Sequence, residues 1–356
     1  MLTRPHLIVF MLCVLLVGCS KQTPQTSGTS GGPNAGTKLT LVGAGSSFDY
    51  PFFSRAFYEY TKIHPDIAVN YQSIGSGGGI RQFSAGTVDF GATDVPMSAK
   101  ELAAVPKNRT VIQAPVTLGG VAIAYNVPGA PGHLKLTPRL LADIFLGKVL
   151  NWSDPQIASA NPGANVKNLP IAVIHRADGS GTTYIFTDYL SQVSPEWKAR
   201  VGTGKTVSWV AQNALGAKGT EGVAGQVRNT PGAIGYTELA YAMQNNMAYA
   251  MVQNKAGRFV LPTLETVAAA AAAKPNVTPK DFSIVNQGGP ETYPIAGYSW
   301  VLLYQHYPDA NKQQALHDLF AWLLTDGQQL AKSIEYVPLP PAASKAAVSA
   351  VDSMGK

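Results

Sequence analysis

Two hydrophobic periods alternate along the chain. Lys38–Gly45 is an apolar strand pattern, and Tyr50–His64 then sets Phe52, Phe53, Phe57 and Tyr60 at helical spacing. Ile67–Ile74 reads as a strand, Gly78–Ala85 as a short helix and Val88–Ala92 as a strand. Ser98–Ala104 reads as a helix, with Ser98 as its cap and Glu101 three residues on. Further along, the pattern predicts helices over Leu136–Leu146 and Thr182–Leu190, with a strand over Ile171–Ile174 between them. An alanine run at 268–273, bounded by Glu265 and Lys274, reads as a surface helix. This alternation predicts an α/β protein with largely parallel sheets.

Two long apolar runs stand apart, Val116–Tyr125 and Ile295–Tyr304. Read as strands crossing between domains, they divide the chain into domain I (37–115 plus 298–356) and an inserted domain II (118–292). The helix over Lys312–Leu324 lines up Leu316, Leu319, Phe320 and Leu323, so it can pack back on domain I. Two lobes joined by two strands leave a cleft that closes by a hinge motion.

Composition narrows the class. Of 356 residues, 46% are hydrophobic and only 13% charged, with 35 Gly and 25 Pro, which excludes a coiled coil and argues against disorder. The net charge is +6, yet no basic run of the length of a nucleic-acid arm occurs, so no nucleic-acid partner is expected. At the start, Arg4 precedes a 12-residue apolar run from Leu7 to Gly18, too short to span a bilayer and suited to a secretory leader over 1–18. The run ends Leu16-Val17-Gly18-Cys19, which resembles a bacterial lipobox and implies cleavage before Cys19 and lipidation of its sulfur. Residues 19–36 then form a Ser/Thr/Gly/Pro tether. Cys13 lies inside the leader, so the mature chain is left without a cysteine pair or a thiol cluster for a metal.

Three turns share one chemistry. Gly43–Phe48, Gly75–Gly79 and Asp178–Thr182 each follow a strand and open a helix. Small residues let backbone N–H groups approach a ligand closely, a helix start presents unpaired N–H donors, and Ser and Thr add hydroxyls. Together they make an anion site with little formal charge. Arg176 precedes the third turn and reads either as a guanidinium fork for a tetrahedral oxyanion or as the structural partner of Asp178. Asp94 ends a strand and reads either as a site carboxylate or as a turn cap. Enzyme signatures fail: Phe48 stands where a dinucleotide fingerprint needs Gly or Ala, and Ala199 where a P-loop needs Gly. None of Ser46, Ser47, Ser76 or Ser180 lies in a nucleophile elbow, and His64, His133, His175, His306 and His317 lack metal-ligand spacing. The residues leave three readings open: a binder of phosphate, a phosphoryl-transfer enzyme reusing the cradle, or a binder of another tetrahedral anion such as sulfate or molybdate.

The segments VGAGSSF, YQSIGSGGGIRQF, VDFGATDVPMS, FLGKVLNWSDP, HRADGSGTTYIFTDYL and PGAIGYTELAYAMQNN resemble the phosphate-binding proteins of bacterial phosphate ABC transporters, over essentially all of 39–340. The resemblance implies a type II periplasmic-binding-protein fold, two α/β domains with phosphate in the cleft between them. It also implies a monomer that uses no cofactor, metal or catalytic residue and serves a membrane permease and its ATPase from the periplasm or cell surface. The implied ligands are Ser47 (hydroxyl and N–H), the Phe48 N–H, Ser76, Asp94, Arg176 held by Asp178, and Ser180, Gly181 and Thr182. Ser47 replaces a Thr of the best-known relatives and keeps the hydroxyl, whereas Gly77 stands where relatives can carry Ser. Asp94 has a physical rationale within that family. Phosphate still carries a proton to donate to a carboxylate, and sulfate at neutral pH carries none.

Overall fold

The structure, a computed structural model, describes residues 38–356 apart from 131, 165 and 167. The expected leader (1–18), the lipidated Cys19 and the tether (19–36) lie outside the described residues.

Within the described residues nine strands form one sheet. They are β1 (Leu39–Gly45), β2 (Ile67–Ser73), β3 (Phe90–Thr93), β4 (Val111–Tyr125), β5 (Ala172–Arg176), β6 (Ala214–Ala217), β7 (Ala233–Glu238), β8 (Ala248–Tyr249) and β9 (Ala296–Tyr304). Their order is β2-β1-β3-β9-β4-β7-β5-β6, with β8 beside β4. The two ends of the sheet are parallel, β1 with β2 and β3, and β5 with β6 and β7. The middle is antiparallel, where β9 runs against β3 and β4, and β4 against β7. The expectation of largely parallel sheets therefore holds for the ends alone. A chain that leaves one lobe along a strand and returns along its neighbour must run in opposite directions there.

The fold is two-lobed, and β4 belongs to both halves. Its residues Val111–Gly120 pair with β9, and from Val121 onward it pairs with β7. At the switch the Val121 N–H donates to the Ile295 carbonyl (2.8 Å), and the Tyr293 hydroxyl donates to the Val121 carbonyl (2.7 Å).

Burial follows the sequence pattern. Helix α1 (Tyr50–Ile63) carries Pro51 in its first turn, where a fixed φ and a missing N–H are tolerated, and buries Phe52, Phe53, Ala56, Phe57 and Tyr60. The helix Ala310–Leu324 buries Leu316, Leu319, Phe320 and Leu323, and Phe320 meets Phe90 edge-on at 5.1 Å. The alanine run differs from its expected surface role. In the helix Leu264–Ala272, Val267, Ala270 and Ala271 are buried, and Val267 lies over Gly120 of β4.

Four helices begin at the carboxyl ends of parallel strands. They are α1 after β1, α2 (Ser76–Ala85) after β2, α4 (Gly181–Val193) after β5 and α5 (Gly219–Asn229) after β6; α3 (Ala99–Ala103) follows β3. In α/β proteins ligands bind outside the carboxyl ends of the strands, where strand order switches. Here the starts of α1 and α2 from one half of the sheet face those of α4 and α5 from the other.

Candidate functional site

The first turn is fixed by its aromatic residue. Phe48 is fully buried, edge-on to Tyr336 at 6.3 Å, which leaves its backbone N–H in the turn, donating to Ser46 Oγ (2.9 Å). The Tyr71 and Tyr241 hydroxyls donate to the Ser46 and Ser47 carbonyls, at 2.8 and 2.9 Å. Asp49 is wholly buried and accepts from Ser299 of β9, with the Tyr71 hydroxyl oxygen 3.3 Å from its carboxylate, tying this turn to the crossing strand. Burial, and then the charge of nearby Asp94, hold the Asp49 carboxyl well above the usual carboxylate range.

The second and third turns meet face to face. The Gly77 N–H donates to the Gly179 carbonyl (2.8 Å), and the Gly181 N–H donates to Ser76 Oγ (3.1 Å). Ser76 Oγ also takes the Asp94 N–H (3.3 Å). Glycine is required at two of these contacts. Gly75 has φ +79°, and a Cβ there would sit 2.1 Å from Asp178 Oδ2. A Cβ on Gly181 would sit 2.5 Å from that of Asp94.

Asp94 is 2% exposed and lies between the halves. It accepts from the Ser46 hydroxyl on its own side and from the Thr182 hydroxyl across the cleft (3.1 Å). Burial raises its pKa above the ordinary value, against the opposing pull of Ser46, Arg176 and Thr182. Arg176 forks onto Asp178, Nε to Oδ1 at 2.8 Å and Nη2 to Oδ2 at 2.5 Å. Burial works against the guanidinium charge, but the bonds and charge of Asp178 outweigh it and raise the Arg176 pKa. Asp178 is held below its usual range because Arg176 and the Gly219 N–H (3.0 Å) outweigh its own partial burial. Ser180 caps α4 through its hydroxyl, which takes the Thr183 N–H (3.1 Å), and its own N–H donates to the Lys205 carbonyl (2.9 Å).

All eight expected ligand residues therefore lie in one buried cluster, with the partly buried Asp178 at its edge. For Arg176 the structure shows the salt bridge of the second sequence reading: Asp178 takes Nε and Nη2, while Nη1 donates to Thr220 Oγ1 (3.2 Å). His175 stays out, stacked on Trp209 at 4.7 Å. Sequence reasoning missed Thr220, at the start of α5 and 1% exposed, with Oγ1 2.9 Å from Ser47 Oγ and 3.2 Å from Arg176 Nη1. The signal was a fourth small-residue turn, Lys218-Gly219-Thr220. A second missed pair closes the edge of the cluster: Lys205 Nζ donates to Glu101 Oε2 (2.7 Å) and Oε1 (3.0 Å), and Glu101 also serves the capping box of α3.

Chemically this is an oxyanion cradle. Backbone N–H groups and hydroxyls supply most of the donors, one guanidinium supplies charge, and one carboxylate demands a donor in return. Two α/β lobes closing on such a cradle define a solute-binding protein, and the family model of the PBP superfamily domain matches residues 23–326. The chain belongs, more narrowly, to the PstS family of phosphate-binding proteins. It is 42% identical over 347 residues to the Phosphate-binding protein PstS of Xylella fastidiosa (strain Temecula1), covering 94% of this chain and 93% of that one. With the PstS of Pasteurella multocida it shares 45% over 304 residues, 85% of this chain and 86% of that one. Its fold also matches the phosphate-bound structure of the high-affinity periplasmic phosphate-binding protein PfluDING. That match has a TM-score of 0.69 at 22% identity, over 87% of this chain and 93% of the other.

Proposed function

We propose that this protein captures inorganic phosphate between its lobes and hands it to the permease of a phosphate ABC transporter. The observation that carries the reading is Asp94, a buried carboxylate among N–H and O–H donors from both halves. Phosphate would take over the contacts these groups make with one another. It would accept from Phe48, Ser47, Ser76, Arg176, Ser180, Gly181 and Thr182 and donate its remaining proton to Asp94. The lobes are domain I (37–115 plus 298–356) and domain II (118–292), a division supported by the change of partner along β4 at Gly120 and Val121. The protein acts as a monomer outside the cytoplasm, in the periplasm or at the cell surface, with Cys19 as its lipid anchor and a membrane permease and ATPase as its partners. Among the described residues no helix is long and apolar enough to cross a membrane. The family is one of solute-binding proteins, and no bond chemistry is assigned to the site.

Calorimetric titration with phosphate, sulfate and molybdate tests this reading. One phosphate per chain, with sulfate and molybdate bound far more weakly, is expected. Preference for either other anion, or turnover of a phosphate ester, would refute it.

The Lys205–Glu101 pair, partly buried, links the two halves outside the cradle, with Lys205 Nζ donating to both carboxylate oxygens. Replacing Lys205 with Met is expected to speed phosphate release about threefold to tenfold, with little change in the association rate. Stopped-flow fluorescence on the variant measures both. A Lys205→Glu, Glu101→Lys double variant should recover part of the loss, and an unchanged release rate in Lys205→Met would exclude a clasp.

A further inference from the structure

We infer that Thr220 is a positioning residue that aims the Ser47 hydroxyl at the bound anion, as the middle link of a hydrogen-bond relay from Arg176 across the cleft. The inference rests on the phosphate-binding reading of Ser47 and Arg176 and adds a residue outside the expected ligand set.

The first link of the relay has a fixed direction, and the second is part of the inference. Arg176 Nη1 lies 3.2 Å from Thr220 Oγ1, and a guanidinium only donates, so the Thr220 oxygen accepts there. The distance between Thr220 Oγ1 and Ser47 Oγ, 2.9 Å, allows either hydroxyl to donate, and the relay assigns the single Thr220 proton to Ser47 Oγ. The Thr220 backbone N–H donates to that same oxygen at 3.0 Å. A hydroxyl has two acceptor sites and one proton. With both acceptor sites filled by Thr220, Ser47 keeps its proton for a third partner in the cleft.

The surroundings keep the relay dry and rigid. Ser47 and Thr220 are each 1% exposed and Arg176 is 5% exposed, so water does not compete for these bonds. Tyr241 holds the Ser47 carbonyl and Asp178 holds the far edge of Arg176, so neither end swings freely. Ser47 and Thr220 are 173 residues apart and lie in opposite lobes, so the relay forms only when the lobes are closed. It therefore ties the orientation of a donor in one lobe to the cation in the other. A hydroxyl already aimed at the anion loses less rotational freedom on binding.

The test is phosphate titration of wild type, Thr220→Val, Thr220→Ser, Ser47→Ala and the Ser47→Ala, Thr220→Val double variant, with circular dichroism as a check on folding. Valine keeps the shape of threonine and removes the hydroxyl, so Thr220→Val should weaken phosphate about tenfold, the worth of one buried hydrogen bond. Thr220→Ser should stay within about twofold of wild type. The double variant should bind within about twofold of Ser47→Ala alone, because Thr220 acts through Ser47. Wild-type affinity in Thr220→Val, failure of serine to rescue, no loss in Ser47→Ala, or losses that multiply in the double variant would each overturn the relay. Failure of the wild-type protein to bind phosphate would instead overturn the reading on which the relay rests.

Discussion

Replacing Arg176 with Met is expected to lower phosphate affinity by roughly two to three orders of magnitude, the largest loss for any single residue of the cradle. The estimate treats guanidinium and anion as a buried hydrogen-bonded charge pair, whose truncation on one side costs about 2–5 kcal/mol of binding, with tenfold in affinity for each 1.4 kcal/mol. Two losses add. The anion would lose its charged donor, and Asp178, only 14% exposed, would keep the Gly219 N–H but lose both guanidinium bonds. Asp178 would then add an unbalanced negative charge beside the anion. Lysine should rescue little. Its ammonium restores charge but cannot bind both oxygens of Asp178 and reach Thr220 as well, which Arg176 does through Nε, Nη2 and Nη1. Equilibrium titration of Arg176→Met and Arg176→Lys, with thermal unfolding of each ligand-free variant, checks this. A folded Arg176→Met that bound phosphate within about tenfold of wild type would show that the N–H donors alone hold the anion.

Much of the cradle was legible because its parts are local. Each of the three recognised turns carries its own signal: an apolar strand, a few small residues and then helical spacing. Its chemistry sits within about six residues. The fourth turn has the small residues but lacks the apolar strand before them. β6 is only Ala-Leu-Gly-Ala, none of it buried, so no apolar run marks the strand before Gly219 and Thr220. The boundary of α2 was placed late for a related reason. Its first turn is Ser-Gly-Gly-Gly, and each glycine costs a helix about 1 kcal/mol against alanine. The helix nonetheless starts at Ser76, because Gly79 lies against the backbone of Ala44 and Gly45, where a Cβ would come within 2.5 Å. Tertiary packing overrides propensity there, and a linear pattern does not show it. The same limit hid the partnerships across the cleft. Asp94 with Thr182, and Ser47 with Thr220, are 88 and 173 residues apart, and only the crossing strands β4 and β9 bring them together.

Replacing Asp94 with Asn should erode the preference for phosphate over sulfate by about tenfold to a hundredfold, mainly by letting sulfate in. An ionised Asp94 facing an anion that carries no proton sets acceptor against acceptor. At 4 Å and an effective dielectric of 20, their repulsion alone is about 4 kcal/mol. Phosphate escapes part of this by donating its proton to the carboxylate. Asparagine removes the charge and offers an N–H pair, so sulfate gains a donor where it met an acceptor. Phosphate affinity should change less, since the amide oxygen can still accept. The site tolerates the change: Ser46 and Thr182, which both donate to Asp94, carry hydroxyls that can turn to accept from the amide. The wild-type protein should show the same gain as a function of pH. Because burial raises the Asp94 pKa, its carboxyl takes up a proton at a higher pH than an exposed aspartate would. Once protonated it becomes a donor, so wild-type sulfate affinity should rise as pH falls from neutrality into the acid range, beginning at a higher pH than the titration of an exposed aspartate, while that of Asp94→Asn stays nearly flat. Competitive titration of sulfate against phosphate over this range compares the two proteins at each pH. Parallel pH curves for wild type and Asp94→Asn, or an unchanged preference in the variant, would move the discrimination from the carboxylate to the geometry of the N–H donors.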